Sequence, residues 1–192
     1  MTRYAMVIDK RRCIGCHSCT VACRTWNKLP IDIIYNPVLT EGVKGTWPNV
    51  HREWTPMLCQ HCAKPACVPA CPTGASIQDE DGTVWVDYKK CMACKVCVNA
   101  CPYGMRDVSK TEEFFHRFVR KCTFCRNARQ LDPDAQPYCV KTCHQKARIF
   151  GDLDDPNSEV SKIVASVKTE RLLEDLGTEP QIYYVPDMGG RI

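Results

Sequence analysis

Sixteen cysteines in four groups of four are the residues whose type and spacing indicate chemistry in this chain of 192 residues. The groups are Cys13, Cys16, Cys19 and Cys23; Cys59, Cys62, Cys67 and Cys71; Cys91, Cys94, Cys97 and Cys101; and Cys122, Cys125, Cys139 and Cys143. A cysteine thiolate binds iron and other soft metals, and cysteines also form disulfides. Because cysteines two or three residues apart would form mostly strained or non-local disulfides, the spacing favours metal binding.

The spacing within the groups indicates which metal group is bound. The first and third groups read C-x2-C-x2-C-x3-C, whereas the middle gap is longer in the second and fourth groups. Bacterial ferredoxins use this short spacing to hold 4Fe-4S clusters, and the last cysteine of each group binds the cluster of the other group. Proline follows Cys71 and Cys101, as in the ferredoxin run, but not Cys23 or Cys143. The sequence therefore predicts paired 4Fe-4S clusters.

Zinc, disulfides and histidine ligation are alternative interpretations. Structural zinc sites favour two C-x2-C pairs. The fourth group, with one x2 pair and one x3 pair, is the one group that could pass as such a site. A disulfide framework normally accompanies a secretory signal peptide, and Met1–Lys10 has no apolar stretch of that kind. His61 and His144 lie beside cysteines. Because four cysteines are available for each cluster, we do not expect either histidine to bind iron.

The composition agrees with a fold that metal helps to stabilise. Leu, Ile, Val and Phe together number 40 of the 192 residues. When these residues make up only about this fraction of a chain, the polypeptide buries barely enough apolar surface to fold. The basic residues behind the net charge of +4 are scattered, so we expect no nucleic-acid partner. Ligation of four clusters by thiolates would bring the charge to about −4. No apolar run is long enough for a direct membrane span.

The elements that must position the cysteines are predicted to be short. Tyr4–Asp9 and residues 84–87 read as strands that lead into the first and third groups, with a turn at Asp81-Gly82 before the second strand. The three-residue gap before the last cysteine of each group predicts a helical turn. Residues 29–56 are expected to form an inserted loop or hairpin, and Val160–Leu176 an amphipathic helix. The fold class is therefore α+β.

Several motifs outside the bare cysteine spacing resemble a known family. They are Cys59-Gln60-His61-Cys62, Pro65-Ala66-Cys67, Cys71-Pro72-Thr73-Gly74-Ala75, Asp81-Gly82, Cys101-Pro102-Tyr103-Gly104, Lys121-Cys122-Thr123-Phe124-Cys125 and Gly151-Asp152-Leu153. Together they resemble the four-cluster electron-transfer subunits of molybdopterin oxidoreductases, of the polysulfide, thiosulfate, tetrathionate and dimethyl sulfoxide reductase type. The resemblance extends from about Tyr4 to Lys162.

This resemblance implies a particular assignment of the cysteines to four 4Fe-4S clusters. The first cluster would take Cys13, Cys16, Cys19 and Cys143; the second Cys23, Cys122, Cys125 and Cys139; the third Cys59, Cys62, Cys67 and Cys101; and the fourth Cys71, Cys91, Cys94 and Cys97. Related subunits of nitrate reductases replace one ligand of the fourth cluster, which gives a 3Fe centre. Because Cys94 fills that position here, we expect no 3Fe centre.

The same resemblance implies two bacterial-ferredoxin-like modules, each with two clusters. Residues 1–28 together with 115–151 would form the outer module, and residues 57–110 the inner one. Residues 29–56 would be an insertion, and residues 152–192 a C-terminal tail that docks to another subunit. A solvated extension is the alternative interpretation of the tail.

The resemblance also implies a function. The chain would not be an enzyme on its own but would relay electrons between a molybdopterin-containing catalytic subunit and an integral-membrane quinol-reactive subunit in anaerobic respiration. A free polyferredoxin-type carrier, or the same relay in a soluble oxidoreductase, is the alternative. The complex would lie on the periplasmic, outer face of the cytoplasmic membrane by co-export with a signal-bearing partner, and the cytoplasm is the alternative location.

Overall fold

The structure is a computed structural model that describes residues 2–111 and 117–186. The strands are β1 (Tyr4–Asp9), β2 (Val38–Thr46), β3 (Asn49–Pro56), β4 (Ser76–Gln78), β5 (Val84–Val86), β6 (Asp107–Val108), β7 (Val119–Arg120), β8 (Arg148–Asp152) and β9 (Ile182–Val185). The helices are α1 (Ser18–Trp26), α2 (Val96–Asn99), α3 (Arg126–Leu131), α4 (Tyr138–Lys141) and α5 (Glu159–Ser166). Single turns of 3-10 helix follow β1 and precede β9. The α+β prediction is confirmed.

A three-stranded sheet joins the two ends of the described sequence. Strand β1 lies in the middle, antiparallel to β8 and parallel to β9. Side chains alternate between the faces of a strand. Met6 and Ile8 accordingly pack into the largest apolar cluster, whereas Ala5 and Val7 pack against Val160 of α5 on the other face. Helix α5 thus covers the face of the sheet that points away from most of the cysteines.

The largest apolar cluster contains cysteines as well as aliphatic and aromatic residues. Its five buried cysteines are Cys19, Cys23, Cys59, Cys122 and Cys139. They pack with Phe124 and Phe150, whose rings meet edge to face with centroids 5.0 Å apart. Cysteine side chains therefore make up a substantial part of the largest apolar cluster. This agrees with the small number of aliphatic residues in the sequence.

Residues 38–56 form a long antiparallel hairpin of β2 and β3. Its outer part is exposed, and ion pairs connect its two strands near the middle and connect it to Lys10. Lys10 lies 2.9 Å from Glu41, and Lys44 bridges Glu41 at 2.9 Å and Glu53 at 2.8 Å. Of the two alternatives for residues 29–56, the structure therefore has a hairpin in the second part. Two smaller antiparallel pairs, β4 with β5 and β6 with β7, lie beside the second and third cysteine groups.

The local predictions agree with most of the observed elements. Strand β1 has the bounds predicted for it, and β5 ends one residue before its predicted end. The helix predicted over Val160–Leu176 is wrong in its second half. It ends at Ser166, because the backbone of Val167 is extended. Further on, Glu170 forms an antiparallel β-bridge with Tyr184 of β9.

Some predictions from the sequence concern residues that the structure does not describe, and others are not tested by it. Residues 1, 115, 116 and 187–192, which belong to the predicted outer module and tail, lie outside the described residues. The division into modules and the docking role of the tail remain predictions. Within residues 2–111 and 117–186, no helix is long and apolar enough to cross a membrane.

Candidate metal centres

All four cysteine groups contain a C-x-x-C loop with the same unusual backbone conformation. The residue immediately before the second cysteine has a positive φ in each group: 68° at Gly15, 42° at His61, 55° at Ala93 and 50° at Phe124. Left-handed conformations are costly for residues other than glycine and persist only where the surroundings enforce them. The four loops therefore share this backbone feature as well as the C-x-x-C spacing.

Short helices carry further cysteines of the groups. Helix α1 carries Cys19 and Cys23, one helical turn apart, and α2 carries Cys97. Both helices follow a residue in the left-handed region, His17 and Lys95 respectively. Helix α4 carries Cys139. The helical turns predicted from the cysteine gaps are thus present in the first, third and fourth groups.

Gly15 shows how closely the first loop is packed. Its φ is +68°, and a Cβ placed on it would lie 2.2 Å from Nε1 of Trp54 on the hairpin.

We expect Gly15→Ala to lower the free energy of unfolding by about 3 kcal/mol, from left-handed strain together with overpacking. Gly74→Ala is the matched control, because Gly74 has a φ of +64° and open space around it; it should lose only about 1 kcal/mol. Anaerobic denaturant unfolding measures both, and equal losses would contradict the packing argument.

The fold brings cysteines of the first and fourth groups together. Cys13, Cys16, Cys19 and Cys143 line one cavity. Cys23 lies near Cys139 and Cys125, and Cys122 lies near both Cys23 and Cys139. These are the two sets that the family resemblance implies for the first and second clusters.

The second and third groups are interleaved in the same way. Cys59, Cys62, Cys67 and Cys101 line another cavity. Cys97 lies near Cys71 and Cys91, which belong with it in the set expected for the fourth cluster. Cys94 is exposed, and its place in that set rests on its spacing from Cys91 and Cys97.

Hydrogen-bond donors point at several of the sulfur atoms. The backbone N–H groups of Val119, Phe124 and Ala147 donate to Sγ of Cys91, Cys122 and Cys143 at 3.4, 3.5 and 3.2 Å. The side-chain amide of Asn27 donates to Sγ of Cys23 at 3.4 Å. Such donors stabilise negatively charged sulfur, so they suit thiolate ligands.

The buried thiols need a metal if they are to lose their protons. Burial raises the pKa of Cys62 to about 11 and that of Cys139 to about 11. Burial also raises the pKa of Cys122 well above its usual value. Without iron these groups would be neutral thiols at pH 7, whereas metal ligation would release their protons.

Buried cations provide an independent test of whether the site fits an anionic metal group. Arg106 and Arg148 are each 3% exposed, and Nε and Nη1 of Arg106 and Nη2 of Arg148 have no hydrogen-bond partner among the described residues. Although burial alone would lower the pKa of Arg148, the nearby Cys139 and Cys19 raise it. Four-thiolate sets beside unsatisfied guanidinium groups fit 4Fe-4S clusters, which carry net negative charge.

The contacts of the cysteines and of His61 can be described for each alternative interpretation. All sixteen cysteines are free thiols in the structure. Within the described ranges, no three His, Cys, Asp or Glu side chains converge as ligands of a single metal ion. His61 is fully buried and stacks on Phe124 with ring centroids 3.7 Å apart, while its Nδ1 accepts from the backbone N–H of Val84. His61 thus has a packing role here.

Arg148 is a site residue that the sequence reasoning missed. It follows Ala147 at the start of β8, five residues after Cys143, and its side chain turns into the buried face of the sheet. A lone arginine in the hydrophobic run Ala147-Arg148-Ile149-Phe150 was the signal that could have indicated it, because a charge at an inward strand position needs a compensating partner.

The fold and the cysteine sets define an iron–sulfur protein of the ferredoxin type. A profile described as a 4Fe-4S dicluster domain matches residues 50–153, and one described as a 4Fe-4S binding domain matches residues 11–26. This protein belongs to the 4Fe-4S dicluster family and is an iron–sulfur electron-transfer subunit of an oxidoreductase.

Named relatives resemble the chain over almost all of its length. A selenate reductase subunit of Mesobacillus selenatarsenatis is 39% identical over 95% of this chain and 72% of its own length. The putative dimethyl sulfoxide reductase iron-sulfur subunit of Halobacterium salinarum is 40% identical over 96% and 79%. A polysulfide reductase chain of Wolinella succinogenes is 39% identical over 99% and 97%. The resemblance inferred from the motifs is confirmed.

Proposed function

We propose that this subunit holds four 4Fe-4S clusters and relays electrons between a molybdopterin-containing catalytic subunit and a membrane quinol-reactive subunit. One observation carries the proposal: cysteines from different sequence groups meet in sets that combine the first group with the fourth and the second with the third. When bound, such clusters each accept and release one electron at a time.

The contacts support the cluster assignment that the resemblance implies. Cys143 lies with Cys13, Cys16 and Cys19, although 120 or more residues separate it from them. Cys101 likewise lies with Cys59, Cys62 and Cys67. Each group would therefore lend its last cysteine to the other group of its pair, as in two-cluster ferredoxins.

The two cysteine sets built from the first and fourth groups come close to the two sets built from the second and third groups. This proximity supports a path for electrons between them. Cys122, assigned to the second cluster, and Cys59, assigned to the third, are close enough for their charges to interact. Both are buried in the same apolar cluster. These contacts support one series of four sets, from the Cys13 set through the Cys23 and Cys59 sets to the Cys71 set.

The relatives support the kind of partner that we propose. Their names describe parts of reductases for selenate, dimethyl sulfoxide and polysulfide. A subunit whose buried cysteines are committed as ligands has no free nucleophile among them, so substrate chemistry belongs on a partner. Purification of the native complex tests this point: a large molybdopterin-containing polypeptide and a membrane polypeptide should co-purify. Recovery of a stable lone subunit would support a free carrier instead.

Metal analysis tests the number of clusters. Four 4Fe-4S clusters require about sixteen iron and sixteen acid-labile sulfide per chain. We expect anaerobically purified protein to contain both in these amounts. Electron paramagnetic resonance of the oxidised protein should show no 3Fe signal, because Cys94 supplies the ligand that a 3Fe centre would lack. Zinc with little sulfide, or iron in half the expected amount, would contradict the proposal.

A further inference from the structure

Four cationic side chains are buried near the cysteine sets, and one of them, Arg129, pairs with Asp81 at 3.1 Å. The other three make no ion pair with an acidic side chain among the described residues. Arg148 and Arg106 are each 3% exposed, and Lys121 is 1% exposed. Outside the cysteine sets, their hydrogen bonds go to uncharged groups: Arg106 to Oγ of Ser76 at 2.9 Å, Arg148 to Sδ of Met6 at 3.8 Å, and Lys121 to two backbone carbonyls. A buried charge needs charge of the opposite sign nearby. The positive charges of these three side chains therefore require negative charge close by.

Arg148 lies between the first and second cysteine sets. It lines the cavity of the first set with Cys13, Cys19 and Cys143. Its charge also acts on Cys23 and Cys139, which belong to the second set. Its Nη2 has no hydrogen-bond partner among the described residues. This guanidinium therefore faces both sets of the outer pair.

Arg106 holds the corresponding position in the inner pair. It lines the cavity of the third set with Cys59 and Cys67. Its charge also acts on Cys97 of the fourth set. Two of its nitrogen atoms, Nε and Nη1, have no partner in the described part of the chain. The two pairs thus each contain one buried arginine between their sets, although the arginines come from unrelated positions in the sequence.

Lys121 lies where the two pairs meet. It precedes Cys122 of the second set in the sequence, and its charge interacts with both Cys122 and Cys67 of the third set. Its side chain is held by hydrogen bonds to the backbone carbonyls of Val84 and Cys122. The junction between the pairs therefore also contains a buried cation.

We propose that Arg148, Lys121 and Arg106 are fixed charges that alternate with the four clusters along the electron path and raise their reduction potentials. This inference rests on the four-cluster function proposed above. Each oxidised cluster carries a charge of about −2, and reduction adds one more negative charge. A nearby cation in a medium of low dielectric constant favours the reduced form and weakens the repulsion between neighbouring reduced clusters.

A redox titration of the holoprotein, followed by electron paramagnetic resonance, tests the proposal with Arg148→Met and Arg106→Met. Methionine fills a similar space without the charge. We expect Arg148→Met to lower two of the four midpoint potentials and Arg106→Met to lower the other two. Each should weaken electron affinity at the affected clusters at least tenfold, which is about 59 mV for one electron. Lys121→Met should lower one potential from each pair.

Matched variants separate charge from packing. Arg148→Lys keeps the charge and should shift the potentials less than Arg148→Met does. Arg148→Gln keeps hydrogen-bond donors without the charge and should lower the same two potentials, so it replaces the methionine variant if that one loses iron. Arg3→Met is the surface control, because Arg3 is exposed and pairs with Asp154; it should change none.

The outcomes distinguish this inference from the function on which it rests. Unchanged potentials in Arg148→Met or Arg148→Gln protein of full iron content would overturn the inference alone, as would a uniform shift of all four potentials. Wild-type protein with too little iron and sulfide for four clusters would overturn the proposed function first.

Discussion

Replacing Cys23 by serine is expected to remove one cluster of the four and to leave the others in place. Cys23 is buried on α1 and lies near Cys125 and Cys139 of the fourth group, so its thiolate should serve the second cluster, not the first. Serine is a poor ligand for iron in comparison with a thiolate. Iron should fall from about sixteen to about twelve per chain, and the spectroscopic signal of the second cluster should disappear.

Cys19→Ser is the matched control for Cys23→Ser. Cys19 lies one helical turn earlier on the same helix, is also buried, and lines the cavity of the first set with Cys13 and Cys143. Its replacement should affect the first cluster and spare the second. If both variants lost the same cluster, each group would keep its own four cysteines, and the exchange of ligands between groups would be wrong.

Removal of iron is expected to abolish the cooperative tertiary structure. Five cysteines form part of the largest apolar cluster, and the sequence has few aliphatic residues to replace their contribution. Folding free energy that comes from metal ligation is lost when the metal is chelated. Near-ultraviolet circular dichroism and hydrogen exchange should show loss of fixed packing under anaerobic, reducing conditions, which keep the thiols from forming disulfides.

Partial unfolding on iron removal would be informative as well. The β2–β3 hairpin contains no cysteine, and its ion pairs, near its middle, join Lys10, Lys44, Glu41 and Glu53. Because Gly15 of the first loop packs against Trp54 of this hairpin, we expect hydrogen exchange in the hairpin to accelerate together with that in the loop. A chelated protein that unfolds cooperatively at the same denaturant concentration as the holoprotein would contradict the role given to iron.

The sequence was most informative where local chemistry determines structure. The cysteine spacing identified the iron–sulfur class, and the apolar run Tyr4–Asp9 identified the central strand with its correct bounds. The x3 gaps identified the turns of α1 and α2. These features depend on residues that are close together in the sequence, so spacing and periodicity can indicate them.

The features that the sequence did not reveal depend on contacts between distant segments. Strand β9 was not predicted, because Ile182–Val185 is a short apolar run whose pairing with β1 cannot be read from its own residues. The end of α5 at Ser166 depends on the bridge between Glu170 and Tyr184. The position of Arg148 between two cysteine sets likewise requires the fold. Assignment of the cysteines to clusters relied on the family resemblance for the same reason.

The central sheet has a consequence for biosynthesis. Its middle strand β1 precedes both of its neighbours in the sequence, so it leaves the ribosome before β8 and β9 do. The Cys59 and Cys71 sets are complete once Cys101 has been translated, but the Cys13 and Cys23 sets must wait for Cys139 and Cys143. If these sets hold the clusters as proposed, cofactor insertion would begin in the inner pair while β1 and the cysteines of the first group still lack their partners in the nascent polypeptide.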